Sequence, residues 1–85
     1  MNDVRVLFFA RARDLAGCEA VTIPLREEAT VADLRRVLAA NVPALAELLP
    51  RCAIGVNGNH AADYVEIPAG AEVAVLPPVS GGCGG

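Results

Sequence analysis

The chain contains no lysine and no tryptophan, and aromatic residues make up 4% of it. All seven basic side chains are arginines, namely Arg5, Arg11, Arg13, Arg26, Arg35, Arg36 and Arg51, scattered among acidic residues for a net charge of −3. No run of them is dense enough to track a phosphate backbone, so nucleic acid is excluded as an expected partner. A chain of this charge is suited to meet a protein surface. With only Phe8, Phe9 and Tyr64 as aromatics, the core must be aliphatic. The three cysteines, Cys18, Cys52 and Cys83, form no C-x-x-C pair. That pattern predicts reduced thiols and a cytoplasmic location. The apolar run from Val6 to Ala10 is too short for a membrane span, and Asp3 and Arg5 interrupt any signal peptide. A single histidine, His60, with no cysteine or carboxylate at ligand spacing, predicts no metal site. It reads as a loop residue after Asn57-Gly58, solvated or at the rim of a partner interface. Asp63, Glu66 and Glu72 fall on different elements and read as solvated surface.

What is present is a short globular pattern in 85 residues, 54% of them hydrophobic. Val4 to Ala10 reads as a strand with Val4, Val6, Phe8 and Ala10 facing a core. Leu7 and Phe9 lie on the opposite face between Arg5 and Arg11. They are either covered by another element or form an apolar patch for a partner. Ala12 to Gly17 is a turn region with a short helical turn closed by Gly17. Ala20 to Leu25 alternates as a second strand, and Pro24 places it at a sheet edge. Thr30 caps a helix whose apolar face is Val31, Leu34, Val37 and Leu38, with Asp33 in its first turn and Asn41 and Pro43 at its end. Ala44 to Leu49 suggests a short second helix stopped by Pro50. Cys52 to Val56 is a third strand, followed by the hairpin dipeptide Asn57-Gly58. Tyr64 to Ile67 is a minor extended piece, and Pro68-Ala69-Gly70 turns into a final strand, Glu72 to Leu76.

After that strand come Pro77-Pro78-Val79-Ser80-Gly81-Gly82-Cys83-Gly84-Gly85. Glycine loses the most backbone entropy on ordering and offers no apolar area, so this stretch adds little to a core. It can reach instead. Pro78 to Gly85 spans at most roughly 25–29 Å when extended, thin enough for a channel that side chains would block. Cys83 reads as a tail residue without a chemical role, since no Lys, Arg or His lies within the tail to activate its thiol.

The β-β-α-β-β order with this ending resembles the ubiquitin-like β-grasp sulfur carriers. Val4–Ala10, Thr30-Val31-Ala32-Asp33-Leu34, Val56-Asn57-Gly58 and Gly70 to Gly82 are most similar to the MoaD-type small subunits of molybdopterin synthase. The resemblance covers nearly the whole chain, and Pro-Pro-Val-Ser-Gly-Gly directly after the Gly70-Ala71-Glu72-Val73 strand is its most specific part. It implies an α+β fold, a mixed sheet of four to five strands with one main helix packed across it. It implies a carrier domain at 1–76 and a flexible glycine-rich tail at 77–85. The implied function is donation of sulfur to a pterin precursor in molybdenum cofactor biosynthesis. A C-terminal glycine is adenylated with ATP by a MoeB-type enzyme and converted to a thiocarboxylate. The resemblance implies that the chain donates sulfur and is not an enzyme alone, with no cofactor bound. Its implied partners are that adenylating enzyme and a MoaE-type large subunit, in a heterotetramer of two carriers on two large subunits. The reactive residues carried over are Gly85 and Gly84. Because the family pattern ends at its first Gly-Gly, trimming to Gly82 and Gly81 is the alternative. The implied docking residues are Leu7, Phe9, His60, Leu76, Pro77, Pro78 and Val79. Two alternatives stay open: a carrier of the same fold serving thiamine, cysteine or tRNA thiolation, and a ubiquitin-like protein modifier.

Overall fold

The computed structural model describes residues 2–78. The first strand, β1 (Asn2–Phe8), buries Val4, Val6 and Phe8 as the alternation predicts. The strand ends earlier than expected. Ala10 does not continue the inward face; it is exposed, adopts a positive φ of 50° and opens helix α1 (Ala10–Ala16). The segment from Ala10 to Ala16 consists mostly of good helix formers, Ala, Arg and Leu, and that local preference takes over as soon as the chain leaves the sheet. Gly17, at φ 75°, closes α1 in the left-handed conformation, its N–H donating to the Arg13 carbonyl at 2.9 Å.

Strand β2 (Ala20–Leu25) pairs antiparallel with β1 and lies at one sheet edge, so Pro24 sits where a missing donor is tolerated. Helix α2 (Val31–Asn41) begins with a reciprocal cap. The Asp33 N–H donates to Thr30 Oγ1 at 3.3 Å, and the Thr30 N–H donates to Asp33 Oδ2 at 2.9 Å. Two further first-turn donors, the N–H groups of Val31 and Ala32, reach the Val65 and Asp63 carbonyls at 3.0 Å each. The end of α2 that lacks intrahelical acceptors is thereby satisfied by the returning chain. Val31, Leu34 and Leu38 are fully buried, while Val37 is only half-buried at the flank of the apolar stripe.

The expected helix at Ala44–Leu49 is not formed. Two single 3₁₀ turns, Pro43–Leu45 and Leu49–Arg51, take its place. Pro50 has no N–H to give the Ala46 carbonyl and its ring crowds that carbonyl, so the segment settles into separate 3₁₀ turns. Strand β3 (Ala53–Val56) follows, and Asn57 (φ 50°) and Gly58 (φ 86°) make the hairpin turn into β4 (Asn59–His60). His60 is therefore a strand residue rather than a loop residue. The expected extended piece at Tyr64–Ile67 contributes only an isolated bridge, Glu66 to Thr30. Strand β5 (Glu72–Leu76) lies beside β1 in parallel and β3 antiparallel.

The result is a five-stranded mixed sheet in the order β2-β1-β5-β3-β4, with the first and last strands at its centre. The aliphatic core lies between its inner face and α2, where Val6, Val73, Val75, Leu34 and Leu38 are fully buried. No helix among the described residues is long and apolar enough to cross a membrane.

Candidate functional site

The pairing register fixes what the other face of the sheet presents. Paired residues share a face, so Ala20, Leu7, Ala74, Gly55 and His60 form one row across all five strands. Two residues further along, Leu76 pairs with Ala53 on the same face. Phe9, two beyond Leu7, remains extended at φ −124° and ψ 151° and is 44% exposed. Continuing the parallel register by one step sets Phe9 opposite Leu76. The expected docking residues Leu7, Phe9, Leu76 and His60 are thus brought onto one face, with Leu7 and Leu76 half-buried and His60 exposed. Small side chains at Ala53, Gly55 and Ala74 keep the middle of this face shallow.

Gly55 is not demanded by the chain's own packing. A Cβ placed on it meets the Asn59 carbonyl oxygen at 3.7 Å and the Ala74 Cβ at 3.8 Å, ordinary contact distances. A glycine inside a strand that its own neighbours do not require is a common sign of close approach by something else.

The tail leaves from the Phe9–Leu76 end. Pro77 is half-buried and Pro78 exposed, and both line an open groove of about 800 Å³. Its other walls are Arg11 and Leu15 from α1, and Ala44, Glu47, Leu48 and Arg51 from the segment of 3₁₀ turns. Reading the residues one at a time misses this groove, because it is built from three separate parts of the chain. Arg11 and Leu15, four apart, carry the available signal once the helix is seen to start at Ala10 rather than the strand to run through it. The remaining expected site residues, Val79, Gly81, Gly82, Gly84 and Gly85, lie outside the described residues, as does Cys83.

Among the described residues, no group of three or more His, Cys, Asp or Glu side chains is placed to hold a metal ion. The perturbed titrating groups lie away from this face. The Thr30 N–H bonded to Asp33 holds its carboxyl below the ordinary value, helped by Arg26 and Arg36, against a smaller opposing effect of burial. Arg26 pairs with Asp33 at 2.8 Å, and Arg36 pairs with it one helical turn on. Burial pushes the Cys52 thiol up, against a smaller lowering by Arg35, and its Sγ donates to the Leu48 carbonyl at 3.4 Å. That makes Cys52 a core residue rather than a nucleophile.

A five-stranded mixed sheet with the parallel β1–β5 pair at its centre, one helix across the inner face and a tail leaving the last strand invites comparison with known proteins. The model of the ThiS family matches residues 6–82, which takes in the end of β1 and all of β5 and continues past the prolines. The chain belongs to the ThiS family. Among curated relatives, the molybdopterin synthase sulfur carrier subunit of Chlamydomonas reinhardtii is 35% identical over 81 residues, covering 93% of this chain and 98% of that one. Among solved structures, the small archaeal modifier protein 1 of Haloferax volcanii superposes with a TM-score of 0.84 at 28% identity, covering 93% of this chain and all of that one. A chain of the complex of subunits 1 and 2 of the Helicobacter pylori molybdopterin-converting factor gives a TM-score of 0.67 at 28% identity, with 93% of this chain and 97% of that one covered. This ThiS-family chain therefore has the ubiquitin-like β-grasp fold, with five strands at the upper end of the expected range.

Proposed function

We propose that this ThiS-family chain is the sulfur-carrier subunit of molybdopterin synthase, acting through a thiocarboxylate on a C-terminal glycine. The observation that carries the reading is near-complete mutual coverage with a relative of that name, beside a family match that reaches Gly82. A carboxylate resists nucleophiles because its charge is delocalised and its leaving group is oxide. In the proposed cycle a partner enzyme joins the terminal carboxylate to the α-phosphate of ATP, releasing pyrophosphate. A sulfur nucleophile then displaces AMP from the mixed anhydride. The thiocarboxylate sulfur next bonds to a carbon of the pterin precursor as an oxygen leaving group departs from that carbon, and water cleaves the acyl–sulfur bond, returning the carboxylate and leaving the sulfur on the pterin. Two loaded carriers supply the two sulfurs of the dithiolene. Enclosing a bare glycine tail keeps water from the acyl intermediate.

In this scheme the chain contributes a rigid body, an apolar face and a reach; acids and bases belong to the partners. The outer face formed by Leu7, Phe9, Leu76 and His60, continued by Pro77, Pro78 and Val79, docks the adenylating enzyme and the large subunit in turn. A large subunit as partner is supported by the Helicobacter complex. Two carriers on two large subunits, in the cytoplasm, complete the reading. The sulfur sits on Gly85, with Gly84 beside it, or after trimming on Gly82, with Gly81 beside it. Sulfide loading with the adenylating enzyme and ATP tests all of this by intact mass. One oxygen replaced by one sulfur on the form ending at Gly85 is the expected result. Loading only on a form ending at Gly82 selects the trimmed terminus, and no loading of either form refutes the carrier reading.

The Haloferax likeness favours one second reading, a ubiquitin-like modifier joined through its terminal glycine to lysines of other proteins. Lysate separated under denaturing conditions discriminates: high-mass covalent ladders indicate the modifier, and a free 8.8 kDa species indicates the carrier.

A further inference from the structure

An acidic chain carries a locally cationic groove at the one place where its tail departs. Arg11 and Arg51 line it, together with Leu15, Leu48, Pro77 and Pro78, and Glu47 is the only acid there. The three ion pairs among the described residues use Arg26, Arg35 and Arg36, so neither Arg11 nor Arg51 is paired among them. Leu15 is 38% exposed and Leu48 half-buried, giving the groove an apolar floor between its charges.

On the carrier reading the reactive glycine lies seven residues past Pro78 at Gly85, or four past it at Gly82, at most about 25 Å or about 14 Å of chain. An enzyme that encloses the last four residues before that reactive end leaves three or fewer between its wall and Pro78, at most about 11 Å. Its rim must therefore settle around the prolines, and those prolines are one wall of the groove.

We propose that the groove receives an acidic rim, carboxylates flanking an apolar side chain, on the enzyme that encloses the tail. This makes a second contact surface beside the apolar sheet face. The sheet face supplies buried area, and the Arg11–Arg51 groove supplies orientation and electrostatic steering at the channel mouth. The inference rests on the tail-insertion reading above and adds to it the chemistry of the partner's rim.

The test uses the full-length chain and the large subunit encoded in the same genome, with affinity measured across a salt series. The wild-type affinity is expected to fall as salt rises. Reversing both charges, Arg11→Glu with Arg51→Glu, is expected to weaken binding by about tenfold or more and to flatten the salt dependence. Glu47→Arg is expected to strengthen binding at low salt. These side chains line an open groove, and urea unfolding of each variant checks that it is folded before affinities are compared. A doubly reversed chain that binds as the wild type does, with the same salt slope, overturns the inference while leaving the carrier reading in place. A wild-type chain with no affinity for the large subunit removes both.

Discussion

Phe9 is the residue whose replacement best separates docking from folding. A phenylalanine side chain offers roughly 200 Å². With 44% exposed, about 90 Å² remains for a partner to cover, worth about 2 kcal/mol at about 25 cal/mol per Å². Phe9→Ala is therefore expected to weaken association with the large subunit by about 30-fold. The part already buried, about 110 Å², sets an upper limit near 2–3 kcal/mol for the loss of folding stability. A domain of 85 residues holds about 4–13 kcal/mol, so the variant stays folded in dilute buffer. Titration calorimetry gives the first quantity and urea unfolding followed by circular dichroism the second. A folded variant with affinity within about twofold of wild type removes Phe9 from the interface. A loss of stability above about 4 kcal/mol shows instead that Phe9 is a core residue.

Three further outcomes follow from the packing and the caps. Because the Asp33 carboxylate is favoured in the folded state, the unfolded chain binds more protons at low pH; its contribution is complete above the ordinary value of 3.8 and is lost as pH falls through the lower folded value. Asp33→Asn should lower stability at neutral pH and flatten the acid limb of a urea-midpoint series, and an unchanged limb refutes the assignment. Leu34→Ala, at a fully buried position on α2, is expected to cost about 2–5 kcal/mol in urea unfolding, and a cost below about 1 kcal/mol contradicts the core described here. Gly55→Ala, with room for its Cβ, is expected to stabilise the isolated chain by about 0.5–1 kcal/mol, and destabilisation shows that the strand cannot accept the methyl group.

Alternation and capping are local, and where the structure follows local rules the sequence was legible. Val4, Val6 and Phe8 in β1, Ile23 and Leu25 in β2, and Val73 and Val75 in β5 all point inward as their spacing requires. Thr30 with Asp33, Gly17, and Asn57-Gly58 each do at a terminus or turn what their side chains or backbone freedom favour. The misreadings came where two local preferences met. Ala10 fits both a strand and a helix, and the helix won; Ala44–Leu49 carries helical residues, but Pro50 breaks the i to i−4 bonding they would need.

By itself, the order of residues determined the aliphatic core, the main helix and its ends, and a terminus free of bulky side chains. Periodicity of 2 or 3.6 and backbone freedom act within a few residues, and a single chain displays them directly. Which strands neighbour one another was decided only in three dimensions. The parallel pairing of β1 with β5, from opposite ends of the chain, aligned Leu7 with Ala74 and carried that row across to His60. It also brought the prolines beside Arg11 and Arg51. Such juxtapositions depend on the register between distant segments, which the burial of one sheet face selects and no short stretch encodes.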